Sequence, residues 1–319
     1  MGGGTERPGG RVVVVCGPTA SGKTAFGVAL AQRLGGEVVS ADSMQVYRGM
    51  DIGTAKPTPE EMGGVPHHML DVADPAEDYS VACYVRDAVP VVDDILRRGK
   101  LPIVVGGTGL YIDNLIDGRE FAPFSGAVRE ELTRRMAAEG LDALYAELGR
   151  VDPQRQQTLH PNDEKRILRA LEIYYQTGET MTQWNRRTQA LPPRYEARRI
   201  GLTFRNREDL RARIDRRVDE MMERGLAGEV RRLLDSGVPA HATAMGAIGY
   251  KELAAAVQSG DGLDTAVEEV KLRSRQYAKR QLTWFRRTPE VRWIEWEQTA
   301  NFLDVRRAAT DIPKEWCYT

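Results

Sequence analysis

The 319-residue chain holds only three cysteines, Cys16, Cys83 and Cys317. They lack the spacing of metal ligands, so no zinc site is expected, and an odd count without an export signal fits a reducing compartment. No apolar run approaches the length of a membrane span, and the glycine-rich start, residues 1–10, lacks the apolar stretch of a signal peptide. A cytoplasmic protein with a disordered leader over 1–10 and no membrane partner is expected. An excess of one charge is also missing: 45 basic against 46 acidic residues leave a formal net charge of -1, which excludes strong nonspecific attraction to nucleic acid. Any nucleic-acid site must be a local patch. No internal repeat is present, and the length suits one large domain with an insertion or two modest domains.

What the chain does have is a phosphate loop. Gly17-Pro18-Thr19-Ala20-Ser21-Gly22-Lys23-Thr24 matches GxxxxGK[ST] and follows the apolar run Val12 to Cys16, the strand-to-loop setting that such a loop needs. The glycines let backbone N–H groups turn around oxyanions, Lys23 adds a point charge, Thr24 offers a hydroxyl to Mg²⁺, and the following helix presents its positive end. The alternative, an ordinary glycine-rich turn, lacks that flanking pattern. The loop does not say whose phosphates it holds.

Apolar runs at 12–16, 37–41 and 101–105 read as parallel strands separated by enough chain for crossover helices, and ligands in such sheets sit beyond the strands' carboxyl ends. Those ends are Gly17 onward, Asp42 to Gln45, and Gly106 to Gly109. From about Arg129 to Gly178 the apolar spacing turns helical, as in Leu141, Leu144, Tyr145 and Leu148. Leu191 to Glu196 reads as a linker, and Arg199 to Phe204 as a strand returning to the sheet. Helices are predicted over 207–224, 227–236, 250–259 and 264–286, with Gly237 as a stop. The expected class is α/β: a P-loop NTPase-like parallel sheet core flanked by helices, over 11–120 and 199–319, with an α-helical insertion over 121–198.

Hydrolysis of a nucleotide triphosphate wants an acid at the end of a neighbouring strand to hold Mg²⁺. The strand ending at Val105 runs instead into Gly106-Gly107-Thr108. Asp42 becomes the acid of interest, because a carboxylate there can take a proton from an attacking nucleophile. An Asp before Ser is more commonly a turn or helix cap. Arg213 and Arg217 fall four apart on one helix face, with Asp209, Asp215 and Asp219 available as intrahelical partners. Lys271 to Arg287 interleaves Lys and Arg with Tyr277, Trp284 and Phe285, an amphipathic helix expected to turn aromatics inward and cations outward. His67 and His68 are adjacent, not spaced as a helical metal pair, and read as structural.

Several longer blocks occur in order: the P-loop, then Ala41-Asp-Ser-Met-Gln-Val-Tyr-Arg-Gly-Met-Asp-Ile-Gly-Thr-Ala-Lys-Pro57, Pro66-His-His, Tyr79-Ser-Val, Val105-Gly-Gly-Thr-Gly-Leu-Tyr111, His160-Pro-Asn-Asp163, Gly249-Tyr-Lys-Glu252 and Arg275 to Phe285. Together, over about residues 12 to 287, they resemble the tRNA dimethylallyltransferase family. The resemblance implies transfer of a dimethylallyl group from dimethylallyl diphosphate to the exocyclic N6 amine of the adenosine beside the tRNA anticodon. Gly17 to Thr24 would then hold a diphosphate leaving group with Mg²⁺ at Thr24, stabilising charge where it develops.

By the same resemblance Asp42 is the general base, Thr108 sits at the reacting centre and Arg217 contacts the diphosphate, all three being catalytic. It implies tRNA contacts at Asp42, Ser43, Met44, Gln45, Thr108, Arg129, Lys165, Arg166, Ile167, Leu168, Arg169, Gly246, Ala247, Ile248, Gly249, Tyr250 and Lys251. Gly246 stands where relatives often carry a basic residue, and Cys83 where they often carry a polar one. A monomer is expected. The alternatives are an adenylate isopentenyltransferase, a small-molecule P-loop kinase and a noncatalytic RNA-binding module; the insertion and the Trp284-bearing basic helix favour tRNA over a small nucleotide.

Overall fold

A computed structural model describes residues 9–123, 125–288 and 290–297. Six parallel strands form one sheet in the order β3-β2-β4-β1-β5-β6, comprising β1 (Arg11–Cys16), β2 (Glu37–Ser40), β3 (His67–His68), β4 (Pro102–Gly106), β5 (Glu196–Phe204) and β6 (Val291–Trp296). The central strands read as unbroken Val and Ile runs because helices cover both faces of a parallel sheet. Val12 to Val15 and Ile103 to Val104 have no exposed surface.

The helices are α1 (Lys23–Leu34), α2 (Pro59–Met62), α3 (Val81–Arg97), α4 (Gly109–Asp117), α5 (Gly126–Glu139), α6 (Leu141–Val151), α7 (Pro153–Thr158), α8 (Glu164–Thr177), α9 (Met181–Gln189), α10 (Arg207–Glu223), α11 (Leu226–Asp235), α12 (Tyr250–Ser259) and α13 (Leu263–Phe285). The four helices expected after residue 206 correspond to α10 to α13, with ends displaced by at most one residue.

The chain divides into two compact units, one of residues 117–193 and one made by the flanking chain up to Ile116 and from Arg194. In the first, α5 to α9 enclose a core of Leu132, Leu144, Leu148, Ile167, Leu168 and Leu171. Its limits differ from the expected 121–198. The segment taken as linker runs into β5, whose Glu196 pairs with Arg11 of β1. The opening Glu196-Ala-Arg-Arg of that strand is partly exposed, so it lacks the apolar signature of the buried stretch from Ile200.

Two strands escaped the sequence reading altogether. β3 is two residues long, too short for any periodicity, and places His67 and His68 at the sheet edge. β6 occupies the other edge, ends in the buried Trp296, and carries charges at Arg292 and Glu295. Of the expected leader, residues 1–8 lie outside the described residues, as does Cys317. Gly9 and Gly10 do not fit a disordered leader, since the Gly9 N–H donates to Arg194 O at 2.7 Å and Gly10 O accepts from Glu196 N. Among the described residues no helix is long and apolar enough to cross a membrane.

Candidate active site

The P-loop joins β1 to α1 at the carboxyl end of the sheet. Gly17 is required there by close approach: its φ is 144°, and a Cβ would collide with the Leu202 carbonyl of β5. Three consecutive loop residues are held by side chains from the distant second half of the chain. Thr19 N donates to Gln281 Oε1 at 2.8 Å, Ala20 O accepts from Arg213 Nε at 2.8 Å, and Ser21 O accepts from Trp296 Nε1 at 2.9 Å. The loop is therefore shaped before any ligand arrives.

Two cavities meet in front of it. The first, about 460 Å³, is lined by Thr19 to Ala25 and by six cationic side chains, Lys23, Lys56, Arg213, Arg216, Arg217 and Arg224, against three carboxylates, Asp42, Glu61 and Glu220. That imbalance favours an anion. Lys56 is already satisfied by Tyr47 O, Asp51 and Asp71, so its charge belongs to the wall. Lys23 is not: its Nζ rests on Pro18 O at 2.6 Å, and burial, with Arg217 adding repulsion and Asp42 opposing it, pushes its ammonium down to about 8. Burial lowers the Arg217 guanidinium too, with Asp42 opposing. The Ser21 hydroxyl is buried with no partner among the described residues. Such a cradle is electrostatically uncompensated and suits an anion.

The second cavity, about 300 Å³, is walled by Met44, Ile214, Val218, Met221, Leu226, Ile248 and Val270. It shares Thr19, Asp42, Thr54, Arg217, Met221 and Tyr277 with the first. An anion site and a more apolar site thus adjoin at Asp42 and Arg217. An open groove of about 840 Å³ along α12 and α13, with Glu252, Glu268 and Glu269 on its walls, shares no lining residue with either.

Asp42 makes the turn expected of an Asp before Ser and also lines both cavities. Its Oδ1 accepts from Met44 N at 2.9 Å and Gln45 N at 3.3 Å, a turn that fixes the side chain, while the carboxylate still faces both cavities. Thr108 lies behind it and lines neither cavity. Its Oγ1 accepts from Ser43 N at 3.1 Å and donates to Ser43 Oγ at 3.4 Å, so it ties the end of β4 to the Asp42 turn. Arg217 has no ion pair among the described residues; Asp215, its expected intrahelical competitor, is engaged by Arg275 at 2.6 Å.

The remaining sequence candidates divide. Asp42, Ser43 and Met44 come together with Gly246, Ala247, Ile248 and Gly249 around the second cavity. Gln45 faces the first, where its side chain bonds Ser40, Thr54 and Ala55. Lys251 is exposed, whereas Tyr250 is fully buried, its hydroxyl donating to Glu229 Oε1 at 2.5 Å. Tyr250 therefore does not present a surface to RNA. The same correction applies to Ile167 and Leu168, which fill the core of the helical unit, while Lys165 and Arg166 are exposed and Arg169 is half-buried. Arg169 and Arg129 both meet the buried Glu172, at 2.6 and 3.8 Å. In α13, Phe285 is buried, but Trp284 is exposed against expectation, lying over Gly109 with its indole N–H on Asp113 at 2.8 Å.

Sequence reasoning missed Lys56, Arg224 and Gln281 as parts of the site. Lys56 and Gln281 lay within recognised blocks but had no role, and no local pattern pairs Gln281 with Thr19, 262 positions away.

Comparison with known proteins agrees with this geometry. The IPP transferase family model matches residues 45–288, and an isopentenyl transferase model matches 10–74. The tRNA dimethylallyltransferase of Geobacillus thermodenitrificans is 48% identical over 92% of each chain. That of Geobacter sulfurreducens is 47% identical over 94% of this chain and 96% of its own. The crystal structure of the tRNA isopentenylpyrophosphate transferase from Bacillus halodurans superposes with a TM-score of 0.71 at 41% identity, covering 96% of both chains. A eukaryotic dimethylallyltransferase captured acting on tRNA reaches a TM-score of 0.82 at 30% identity, over 93% of this chain and 77% of its own. The extent of these matches, spanning both the P-loop and the helical unit, establishes that the chain belongs to the IPP transferase family.

Proposed function

We propose that this protein transfers a dimethylallyl group from dimethylallyl diphosphate to the N6 amine of the adenosine beside the anticodon of tRNA, releasing diphosphate. The observation that carries the reading is the junction itself: Asp42 and Arg217 stand where a cation-lined cavity meets a more apolar one. The diphosphate occupies the P-loop side, where Lys23, Arg217 and backbone N–H groups take up the charge that grows as the allylic C–O bond breaks. The amine enters from the other side and bonds to the allylic carbon. Asp42 accepts its proton. Thr108 holds the Asp42 turn through Ser43, a positioning role.

Mg²⁺ suits the site. Among the described residues no group of three or more His, Cys, Asp or Glu side chains could hold a metal alone, but Mg²⁺ commonly takes few protein ligands and completes its shell with phosphate oxygens and water. Thr24 would hold it beside the diphosphate, and Mg²⁺ supplies charge neutralisation to the leaving group. The protein acts as a monomer in the cytoplasm, with tRNA contacted by Arg129, Lys165, Arg166 and Arg169 and by the exposed side of the second cavity.

Incubation with labelled dimethylallyl diphosphate and either unmodified tRNA or AMP tests the reading. Label is expected on tRNA. Label on AMP with tRNA left unlabelled overturns it in favour of an adenylate isopentenyltransferase, and phosphorylated product from ATP favours a kinase.

A further inference from the structure

Gln281 of α13 is buried, 5% exposed, and its side-chain amide spans two loops that the chemistry uses from opposite sides. Its Oε1 accepts from Thr19 N of the P-loop at 2.8 Å, and its Nε2 donates to Gly107 O at the end of β4 at 3.0 Å. The fit leaves no slack: a Cβ on Gly107 would run into Nε2. Thr108, the residue after Gly107, in turn accepts from the backbone N–H of Ser43, which follows Asp42. Gln281 therefore ties the P-loop to the Gly107–Thr108 segment, which in turn holds the turn that carries Asp42.

We propose that Gln281 is a positioning residue that sets the separation between the P-loop and the Thr108–Asp42 pair, and so governs the rate of transfer rather than the binding of either substrate. The inference rests on the proposed transferase reading. An amide is needed because one end must accept and the other donate; neither a hydrocarbon nor a carboxylate does both. Reacting groups misplaced by a fraction of the contact distance lose rate without losing affinity.

The test uses the full chain with tRNA and dimethylallyl diphosphate under single-turnover conditions. Gln281→Met is expected to lower the transfer rate by roughly 30-fold or more, while dissociation constants for both substrates stay within about threefold. Gly107→Ala, which displaces the amide from its other partner, is expected to reproduce that pattern. Gln281→Glu separates positioning from mere stability: protonated, its carboxyl accepts from Thr19 and donates to Gly107, so its rate relative to wild type is expected to rise as pH falls from about 8 to about 6. A wild-type rate in Gln281→Met overturns the inference. So does a Gln281→Glu to wild-type ratio that is flat or falls toward acid pH, a measurement that decides the matter even where Gln281→Met fails to fold. Absence of transfer by the wild-type protein itself would instead sink the transferase reading.

Discussion

The two ends of the sheet handle buried charge in opposite ways. β2 reaches both. At its amino end Glu37, 2% exposed, accepts from Arg98 at 2.5 and 2.8 Å and from Lys100 at 2.7 Å, and meets His68 Nε2 at 2.8 Å. These bonds, Arg98 foremost, hold its carboxyl well below the usual range despite burial. At the carboxyl end Lys23 and Arg217 lack such partners: Lys23 bonds a carbonyl, Arg217 has no ion pair among the described residues, and burial lowers the pKa of both. What differs between the two ends is whether the counter-charge is built into the chain or arrives with a ligand. The first arrangement stabilises the fold; the second stores binding energy for the site.

If this division holds, changes at the carboxyl end alter chemistry and changes at the amino end alter stability. The largest effect is expected from Asp42→Ala, which should cut transfer by about 10³-fold, the scale of general-base loss, with tRNA affinity within about tenfold. A tRNA-modifying rate above a tenth of wild type would remove Asp42 from the chemistry. Arg217→Gln is next, with an expected loss of about 10²-fold in kcat/KM for dimethylallyl diphosphate, because one charged donor to the leaving group is gone. Its melting temperature should not fall, since the guanidinium has no ion pair to lose, and a marked drop would contradict the comparison.

At the other end Glu37→Gln should cost about 2 kcal/mol, discounted because its partners are partly exposed, which is a shift of roughly 4 to 8 °C in Tm, with kcat unchanged. Since the folded pKa of Glu37 lies below its unfolded value, its stabilisation is present at neutral pH and fades as pH drops below the ordinary carboxylate range. Thermal melts of wild type and variant should therefore converge in acid. The smallest effect concerns Lys23, whose folded value of about 8 lies below its ordinary 10.5. Its burial as an ammonium weakens the fold below about pH 8, a cost relieved as pH climbs toward the unfolded value, so any gain in stability lies between the two. Substrate binding runs the other way: kcat/KM for the diphosphate substrate should decline above about pH 8, by at most tenfold per unit, and Lys23→Met should flatten that limb.

Much of the site was legible because it is local. The P-loop is eight contiguous residues after a buried strand, and Asp42 and Thr108 stand at the ends of strands visible as apolar runs. Tyr250, Ile167 and Leu168 were misread for the opposite reason: they sit inside recognised blocks, and a block does not reveal which side chains face inward. Tyr250 closes against Gly53 and Glu229, from elements distant in sequence. The Glu37 network draws on His68, Arg98 and Lys100, and no one of the four is distinctive alone.

By itself, then, the order of residues marked the inner strands of the parallel sheet, the anion cradle and the acid at a strand end, because strand burial and loop chemistry depend on neighbours along the chain. Only the tertiary structure decided what holds these parts at working distance. Thr19, Ala20 and Ser21 are braced by Gln281, Arg213 and Trp296, contacts that span 262, 193 and 275 positions. No local pattern encodes such pairings; they exist because closing the sheet brings β6, α10 and α13 back to the loop after β1.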